Sequence, residues 1–307
     1  MAPTRRSFVK MMGGFGAAVC FPGILVQGCR GVLGRAAHRT PVIWIQGQSC
    51  SGCSVSLLNS IDVDVPTLLT EHVSLYFHQT LSWGTGDAAT GVLRNVIQRQ
   101  IKDFVLVVEG SLPLASEMYC TLGTPGGGHL GIREWVMELA EGARHIIAVG
   151  TCAAFGGIPA AAGRDAGGQP TGAAPLSTVL PDRKIVNVPG CPPHPDWIAG
   201  TIVRCLLGRR VKLDAFGRPL VYFGRTVHEQ CERLDDFKKE RFARFWGDEG
   251  CLYYLGCLGI DTHCDIPARK WVGGANSCTG CGSGCIGCTE EVFPDFGQRG
   301  LYRHREA

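Results

Sequence analysis

Cysteine spacing constrains this chain more than any other feature. Fourteen cysteines lie beyond residue 37, and they are densest at Cys50-Ser51-Gly52-Cys53 and in the run from Cys278 through Cys281 and Cys285 to Cys288. Thiolates separated by two small residues can turn onto one ion or cluster, and glycine supplies the backbone freedom for that turn. Disulfides are the competing use of cysteine in an exported protein. Closely spaced, Gly-flanked pairs make poor cross-links, however, and the roughly 270 residues beyond residue 37 suffice for a sizeable core without so many. The spacing therefore points to inorganic cofactors.

The N-terminus reads as an export leader. Thr4-Arg5-Arg6-Ser7-Phe8-Val9-Lys10 precedes a mostly apolar, Gly/Ala-rich stretch from Met11 to Gly28, the order of a charged region and a short hydrophobic region. The paired arginines point to the twin-arginine route, which carries folded proteins and suits a chain that receives its cofactors before export. The stretch is short for a bilayer span and contains Pro22. A leader of residues 1–37 is expected, cut among the small residues from Gly34 to Ala37, with Leu25-Val26-Gln27-Gly28-Cys29 as a second, lipoprotein-type site. Five of the 30 basic residues (Arg5, Arg6, Lys10, Arg30 and Arg35) and no acid lie in that leader, which leaves 25 basic against 27 acidic residues. No basic stripe remains for nucleic acid. No later run is long and apolar enough to cross a bilayer, so membrane association would come through a partner or a lipid.

From Pro41 to about Leu207, short apolar runs recur: Val42 to Ile45, Val73 to Phe77, Phe104 to Val108, His145 to Val149 and Lys184 to Val188. They are rich in Val and Ile without polar alternation, as expected of strands buried on both faces. Helical spacing lies between them at Gly91 to Ile101, Ile132 to Leu139 and Asp196 to Leu206. The alternation predicts an α/β fold with a doubly wound parallel sheet. Cys50 and Cys53 follow the first run, Cys152 the fourth and Cys191 the fifth, which places four distant thiols at the strand ends where open parallel sheets gather ligands. Glu109 ends the central strand at the same edge. It reads first as a capping or turn acid, and secondly as a group beside a cofactor.

After about Gly208 the periodicity fades, and eight further cysteines and His228 stand in a Gly-rich background. Such a stretch cannot build a large apolar core, and metal clusters would take its place. The donors fall into two sets: His228, Cys231, Cys251 and Cys257, and the thiolate-only group Cys264, Cys278, Cys281, Cys285 and Cys288. Spacing alone leaves zinc and iron-sulfur both open. Cys120 and Cys205 fit neither set and are expected as small buried apolar residues.

Read in order, the motifs are specific. They are Trp44-Ile45-Gln46-Gly47-Gln48-Ser49-Cys50-Ser51-Gly52-Cys53-Ser54, Glu109-Gly110, Gly150-Thr151-Cys152-Ala153-Ala154-Phe155-Gly156-Gly157 and Pro189-Gly190-Cys191-Pro192-Pro193. Then come His228-x2-Cys231, Gly250-Cys251 to Gly256-Cys257, and Cys285-Ile286-Gly287-Cys288-Thr289-Glu290. The series resembles the small subunit of nickel-iron hydrogenases over nearly the whole chain, with similarity to the nickel-iron-selenium branch. The resemblance implies a flavodoxin-like domain over residues 38–208 with a proximal 4Fe-4S cluster on Cys50, Cys53, Cys152 and Cys191. It implies a cysteine-rich domain over residues 209–307 with medial and distal clusters, the distal 4Fe-4S on His228, Cys231, Cys251 and Cys257. A neutral imidazole there would raise that cluster's potential.

At the medial site many family members have three cysteines and a proline, giving 3Fe-4S; here Cys278 takes the proline's place, seven residues before Cys285. The resemblance thus implies 4Fe-4S on Cys264, Cys278, Cys285 and Cys288, as in selenium-containing relatives. Two alternatives stay open: Cys281 in place of Cys278, or a ferredoxin-like cluster on the four cysteines from 278 to 288. Oxygen-tolerant members add two cysteines at positions that here are Gly52 and Gly157.

The resemblance further implies a periplasmic heterodimer whose large subunit holds the nickel-iron centre, with no catalytic residue in this chain. Electrons from hydrogen oxidation would pass one at a time to a cytochrome or a membrane haem or iron-sulfur subunit. Gly123 to His129 and the turn Pro192-Pro193-His194-Pro195 are candidate contacts with the large subunit, or plain surface turns. His194 and His263 read as ordinary histidines at the surface or beside a ligand. A free-standing iron-sulfur carrier and a zinc-stabilised binding module are the rival functions.

Overall fold

The structure, a computed structural model, describes residues 39–82, 84–123, 130–161, 171–294 and 301. The expected leader and most of the Gly123 to His129 segment lie outside the described residues. In chain order the strands are β1 (Thr40–Gln46), β2 (Val73–His78), β3 (Phe104–Glu109), β4 (Leu112–Pro113), β5 (Ala143–Val149), β6 (Ala173–Ala174) and β7 (Ile185–Val188). Five make one sheet in the order β2-β1-β3-β5-β7, and every neighbouring pair is parallel. β4 and β6 form a small antiparallel pair beside it.

All five apolar runs of the sequence are strands of this sheet, because side chains alternate between two buried faces. Val42, Trp44, Val105, Val107, Ile147 and Val149 point to one face; Ile43, Ile45, Leu106, Val108, Ile146 and Ala148 point to the other. Every residue of the central strand β3 is buried, whereas the edge strand β2 exposes Tyr76. Helices cover both faces: α1 (Gly52–Leu57), α2 (Gly86–Gln98), α3 (Ile132–Gly142), α4 (Thr151–Phe155) and α5 (Pro195–Leu206). α1 and α5 pack on the first face; α2, α3 and α4 pack on the second. α2 begins and ends earlier than the spacing predicted, since Gln100 adopts positive φ and stops it.

The chain leaves β1 for β2 on one side and returns to β3 on the other. The strand direction of travel reverses there, so a crevice opens at the C-terminal ends of β1 and β3. That crevice receives Cys50, Cys53 and Glu109.

Beyond α5 the chain contributes only short helical turns and isolated bridges among the described residues. Its own apolar cluster is small, consisting of Ala243, Leu252 and Leu255. Tyr222, Phe223, Val227, Cys264, Ile266 and Cys285 instead join the core on the first face, around Trp197 of α5. The Trp197 indole donates to Asp265 at 2.7 Å. Arg218 is 2% exposed, pairs with Asp214 and with Glu290 at 2.9 Å, donates to the Thr289 carbonyl, and lies over the rings of Phe216 and Phe223. A buried guanidinium is tolerable only when its donors are matched in this way.

His78 ends β2 with its ring buried 5.1 Å from that of Trp44. Its Nδ1 accepts from the Thr80 amide, so the neutral ring carries its proton on Nε2, 3.2 Å from Ser54 Oγ. Burial, opposed by the Glu109 carboxylate, lowers its pKa from 6.5 to about 4. The unfolded chain takes up a proton through that window and the folded chain does not. The stability contributed is therefore complete above 6.5 and is lost as pH falls toward 4, about 3 kcal/mol in all. His78→Gln should flatten this acid-side decline in thermal unfolding measured across the window. A decline as steep as that of the unsubstituted protein would place its origin elsewhere.

Candidate metal centres

The first set of thiols gathers at the sheet's C-terminal edge. Cys53 is buried in α1, and its thiol is raised well above its usual range by burial, then by the Glu109 carboxylate and the thiols of Cys152, Cys50 and Cys191 around it. Cys152, in the first turn of α4, is pushed up to about 11 by burial and then by Cys191. Cys50 is exposed and Cys191 half-buried, so the set opens toward a rim that includes Ser51, Pro192 and Ile158. Gly150 has φ of 86°, and a Cβ there would stand 2.5 Å from the Cys53 sulfur. A Cβ on Gly157 would meet the Cys152 backbone at 2.9 Å, so this backbone accepts no side chain at that position.

Glu109 is the anchor of this edge. Its completely buried carboxylate accepts from the amides of Cys53 and Ser54, the Trp44 indole at 2.9 Å, Gln46 Nε2 at 3.1 Å and the Ser54 hydroxyl. The two amides are in the first turn of α1, where orphan N–H groups favour an anion. The capping reading of Glu109 holds, with the cap delivered from another strand.

The second set stands around a cavity of about 110 Å³ lined by Cys264, Cys278, Cys285 and Cys288. Burial raises all four thiols, Cys288 to about 12 and Cys264 and Cys285 well above the ordinary range. Cys281 does not line the cavity. It is exposed, and its sulfur donates to the Cys278 carbonyl at 3.0 Å. The cavity is thus lined by the four cysteines of the first assignment, and both alternatives call on Cys281, which lies outside its lining.

The third set lines a smaller hollow of about 20 Å³, formed by His228, Cys231, Cys251 and Cys257 among others. Burial lowers the pKa of His228, favouring the neutral ring that can donate a lone pair. Phe237 packs edge-on at 4.5 Å from its ring, and Phe242, Tyr253 and Tyr254 extend that aromatic cluster. The sequence reading passed over this wall, although the aromatic density of residues 237–254 is a signal that could have marked it.

Backbone N–H groups address the sulfurs in a repeated way. The amide two residues ahead points at Cys50 and Cys231, each at 3.4 Å, and does the same at Cys251, Cys264 and Cys285. Two further contacts join one set to the next: the Cys191 amide donates to the Cys288 sulfur, and the Cys285 amide donates to the Cys257 sulfur at 3.2 Å. Thr151 ties the same seam, accepting from the Gly190 amide and donating to the Cys288 carbonyl.

The three donor sets have the chemistry of soft-metal ligands. Sets of four thiolates, or of three thiolates and an imidazole, suit zinc and iron-sulfur alike. The thiols are spread around volumes, and burial keeps them protonated until a cation takes the proton's place.

Other expectations are amended. Cys205 is buried, whereas Cys120 is only half-buried. In the Pro192 to Pro195 turn only Pro192 is exposed, because His194 caps α5 by accepting from the Asp196 amide and packs between Trp197 and Trp271. His194 is thus a structural cap and no surface histidine. His263 accompanies Glu290, which accepts from its amide at 2.6 Å.

Comparison with known proteins agrees with this architecture. The C-terminal family of the NiFe/NiFeSe hydrogenase small subunit matches residues 223–299, and the family described as NADH ubiquinone oxidoreductase, 20 Kd subunit, matches residues 50–205. The periplasmic NiFeSe hydrogenase small subunit of Desulfomicrobium baculatum is 39% identical over 312 residues, covering 96% of this chain and 97% of its own. The hydrogenase-2 small chain of Escherichia coli K12 is 40% identical over 264 residues, covering 83% and 68% respectively. Among solved structures, the H2-activated NiFeSe hydrogenase of Dm. baculatum superimposes with a TM-score of 0.80 at 38% identity, over 87% of this chain and 99% of that one. The recombinant NiFeSe hydrogenase from Desulfovibrio vulgaris Hildenborough gives 0.79 at 41% identity, over 86% and 97%. The chain belongs to the small subunits of nickel-iron hydrogenases, the family that includes the nickel-iron-selenium enzymes.

Glu109→Ala would strand several buried donors and should destabilise the purified protein by about 3–5 kcal/mol, with Glu109→Gln costing less. Urea unfolding checks this, and equal, small effects of both would remove Glu109 as the anchor. Gly150→Ala should displace the Cys53 thiol and lower bound iron per chain while leaving the far-ultraviolet circular dichroism intact.

Proposed function

We propose that this chain is the electron-relaying small subunit of a heterodimeric hydrogenase, carrying three iron-sulfur clusters between a nickel-iron centre in a large subunit and an external acceptor. On this reading residues 38–208 form the proximal-cluster domain and residues 209–307 the cysteine-rich domain. Cys50, Cys53, Cys152 and Cys191 hold the proximal 4Fe-4S cluster; Cys264, Cys278, Cys285 and Cys288 the medial 4Fe-4S; His228, Cys231, Cys251 and Cys257 the distal 4Fe-4S. The clusters, when bound, supply one-electron acceptance and release.

The observation that carries the reading is the row of sulfur sets joined by the amides of Cys191 and Cys285. Each amide belongs to a residue of one set and donates to a sulfur of the next, so adjacent sets are in direct contact. The protein's own part is placement. Glu109 holds the Cys53 turn, Arg218 with Glu290 holds the segment after Cys288, and α5 supplies the apolar floor on which the tail is laid. The exposed rim of Cys50, Ser51 and Pro192 is the face we assign to the large subunit, and the His228 end is the electron exit.

Homology to a periplasmic relative, together with Arg5-Arg6 and the apolar stretch behind them, supports export by the twin-arginine route to the periplasm. The external acceptor is then a cytochrome or a membrane haem or iron-sulfur subunit. No helix among the described residues is long and apolar enough to cross a membrane.

Anaerobic co-purification of this chain with its large subunit should yield brown protein with iron and acid-labile sulfide in near-equal amounts. The oxidised sample should lack the signal of a three-iron cluster in electron paramagnetic resonance. Zinc without sulfide would favour a binding module, and full cluster content in the chain purified alone would favour a free-standing carrier.

A further inference from the structure

The side chains that face the middle set do not all have a proton to give. The Thr262 hydroxyl stands beside Cys285 but donates to the Leu258 carbonyl at 2.7 Å. The Thr279 hydroxyl, in the lining of the middle set's cavity, donates to Glu232 at 3.0 Å. The indole of Trp271 is different: it lines the same cavity as Cys278, and its N–H donates toward that sulfur, which favours the thiolate.

The local fold makes that contact specific. Trp271 and Cys278 line the same cavity. A tight loop holds them side by side, for the Trp271 amide donates to the Asn276 carbonyl at 2.8 Å and the Ala275 amide returns to the Trp271 carbonyl at 2.9 Å. The ring is braced from behind by His194, 4.9 Å away, whose other ring nitrogen meets the Lys270 carbonyl at 3.0 Å. Cys278 opens to the surface, whereas Cys264 and Cys285 are buried. The most exposed sulfur of the set is thus the one that receives a side-chain donor.

We propose that Trp271 is a positioning residue for the medial centre, its indole N–H donating to the Cys278 sulfur and raising the centre's reduction potential. This rests on the reading that Cys264, Cys278, Cys285 and Cys288 hold one cluster. A donor to a ligating sulfur withdraws charge and favours the reduced, more negative state, and hydrogen bonds to sulfur are among the factors that set cluster potentials. Phenylalanine leaves an aromatic ring beside His194 and removes the N–H donor, with a smaller ring in the cavity.

The test uses the co-purified two-chain enzyme. The medial signal is defined in redox-poised electron paramagnetic resonance as the one lost in Cys285→Ser. Trp271→Phe should shift its midpoint potential downward with iron and sulfide content unchanged. In enzyme labelled with indole-¹⁵N tryptophan, a nitrogen coupling on that signal should be present and should vanish in Trp271→Phe. Cys278→Ser should abolish or convert the signal, and Cys281→Ser should leave it. An unmoved potential with the cluster retained, or a signal that depends on Cys281 instead of Cys278, overturns the proposal. Absence of any medial signal in the unsubstituted enzyme would instead contradict the cluster reading beneath it, before any variant is made.

Discussion

Burial of sulfur is the constraint from which the rest of this architecture follows. A thiol removed from water resists ionisation, and here burial is the largest influence on Cys53, Cys152, Cys264, Cys285 and Cys288. A thiolate is the metal-binding form, so these positions gain their charge only when a cation compensates it. Peptide N–H groups aimed at the sulfurs lower that cost in part. The fold around the sets is accordingly rich in glycine, turns and peptide donors, with aromatic rings walling the second and third.

The two parts of the chain solve this constraint differently. The sheet part is held by a two-faced apolar core and presents its thiols on rigid strand ends, with Glu109 fixing the helix turn that follows Cys50 and carries Cys53. The tail has almost no core and borrows the first face of the sheet part through Trp197, Phe223 and Ile266. Its remaining order comes from ion pairs and sulfur contacts, of which the Arg218–Glu290 pair and the Cys285–Cys257 contact are central. A tail so built should be the part most sensitive to loss of metal.

Much of this was legible in the residues. The five strands could be read because each is buried on both faces and so lacks polar alternation, and the thiol positions followed from chain reversal at strand ends. Spacing alone permits Cys278 or Cys281; the resemblance put Cys278 first, and the structure adds that Cys278 lines the cavity whereas Cys281 does not. Trp271 was invisible for a related reason. Its partner lies seven residues away across a loop whose closure depends on the Trp271–Asn276 pairing, and no periodic pattern announces that contact. Of the two readings of His194, the surface one fails: a proline-rich turn normally marks the surface, but the cap on α5 pulls this one inward.

The central claim is that iron occupies three places in a line, each framed by its own sulfur set. Diffraction from anaerobically grown crystals of the two-chain complex, recorded on both sides of the iron absorption edge, tests it most directly. The account predicts three strong anomalous peaks, one at each sulfur set, with the peak framed by Cys264, Cys278, Cys285 and Cys288 lying between the other two. Peaks absent from any set, or a signal that appears at the zinc edge instead, would contradict it.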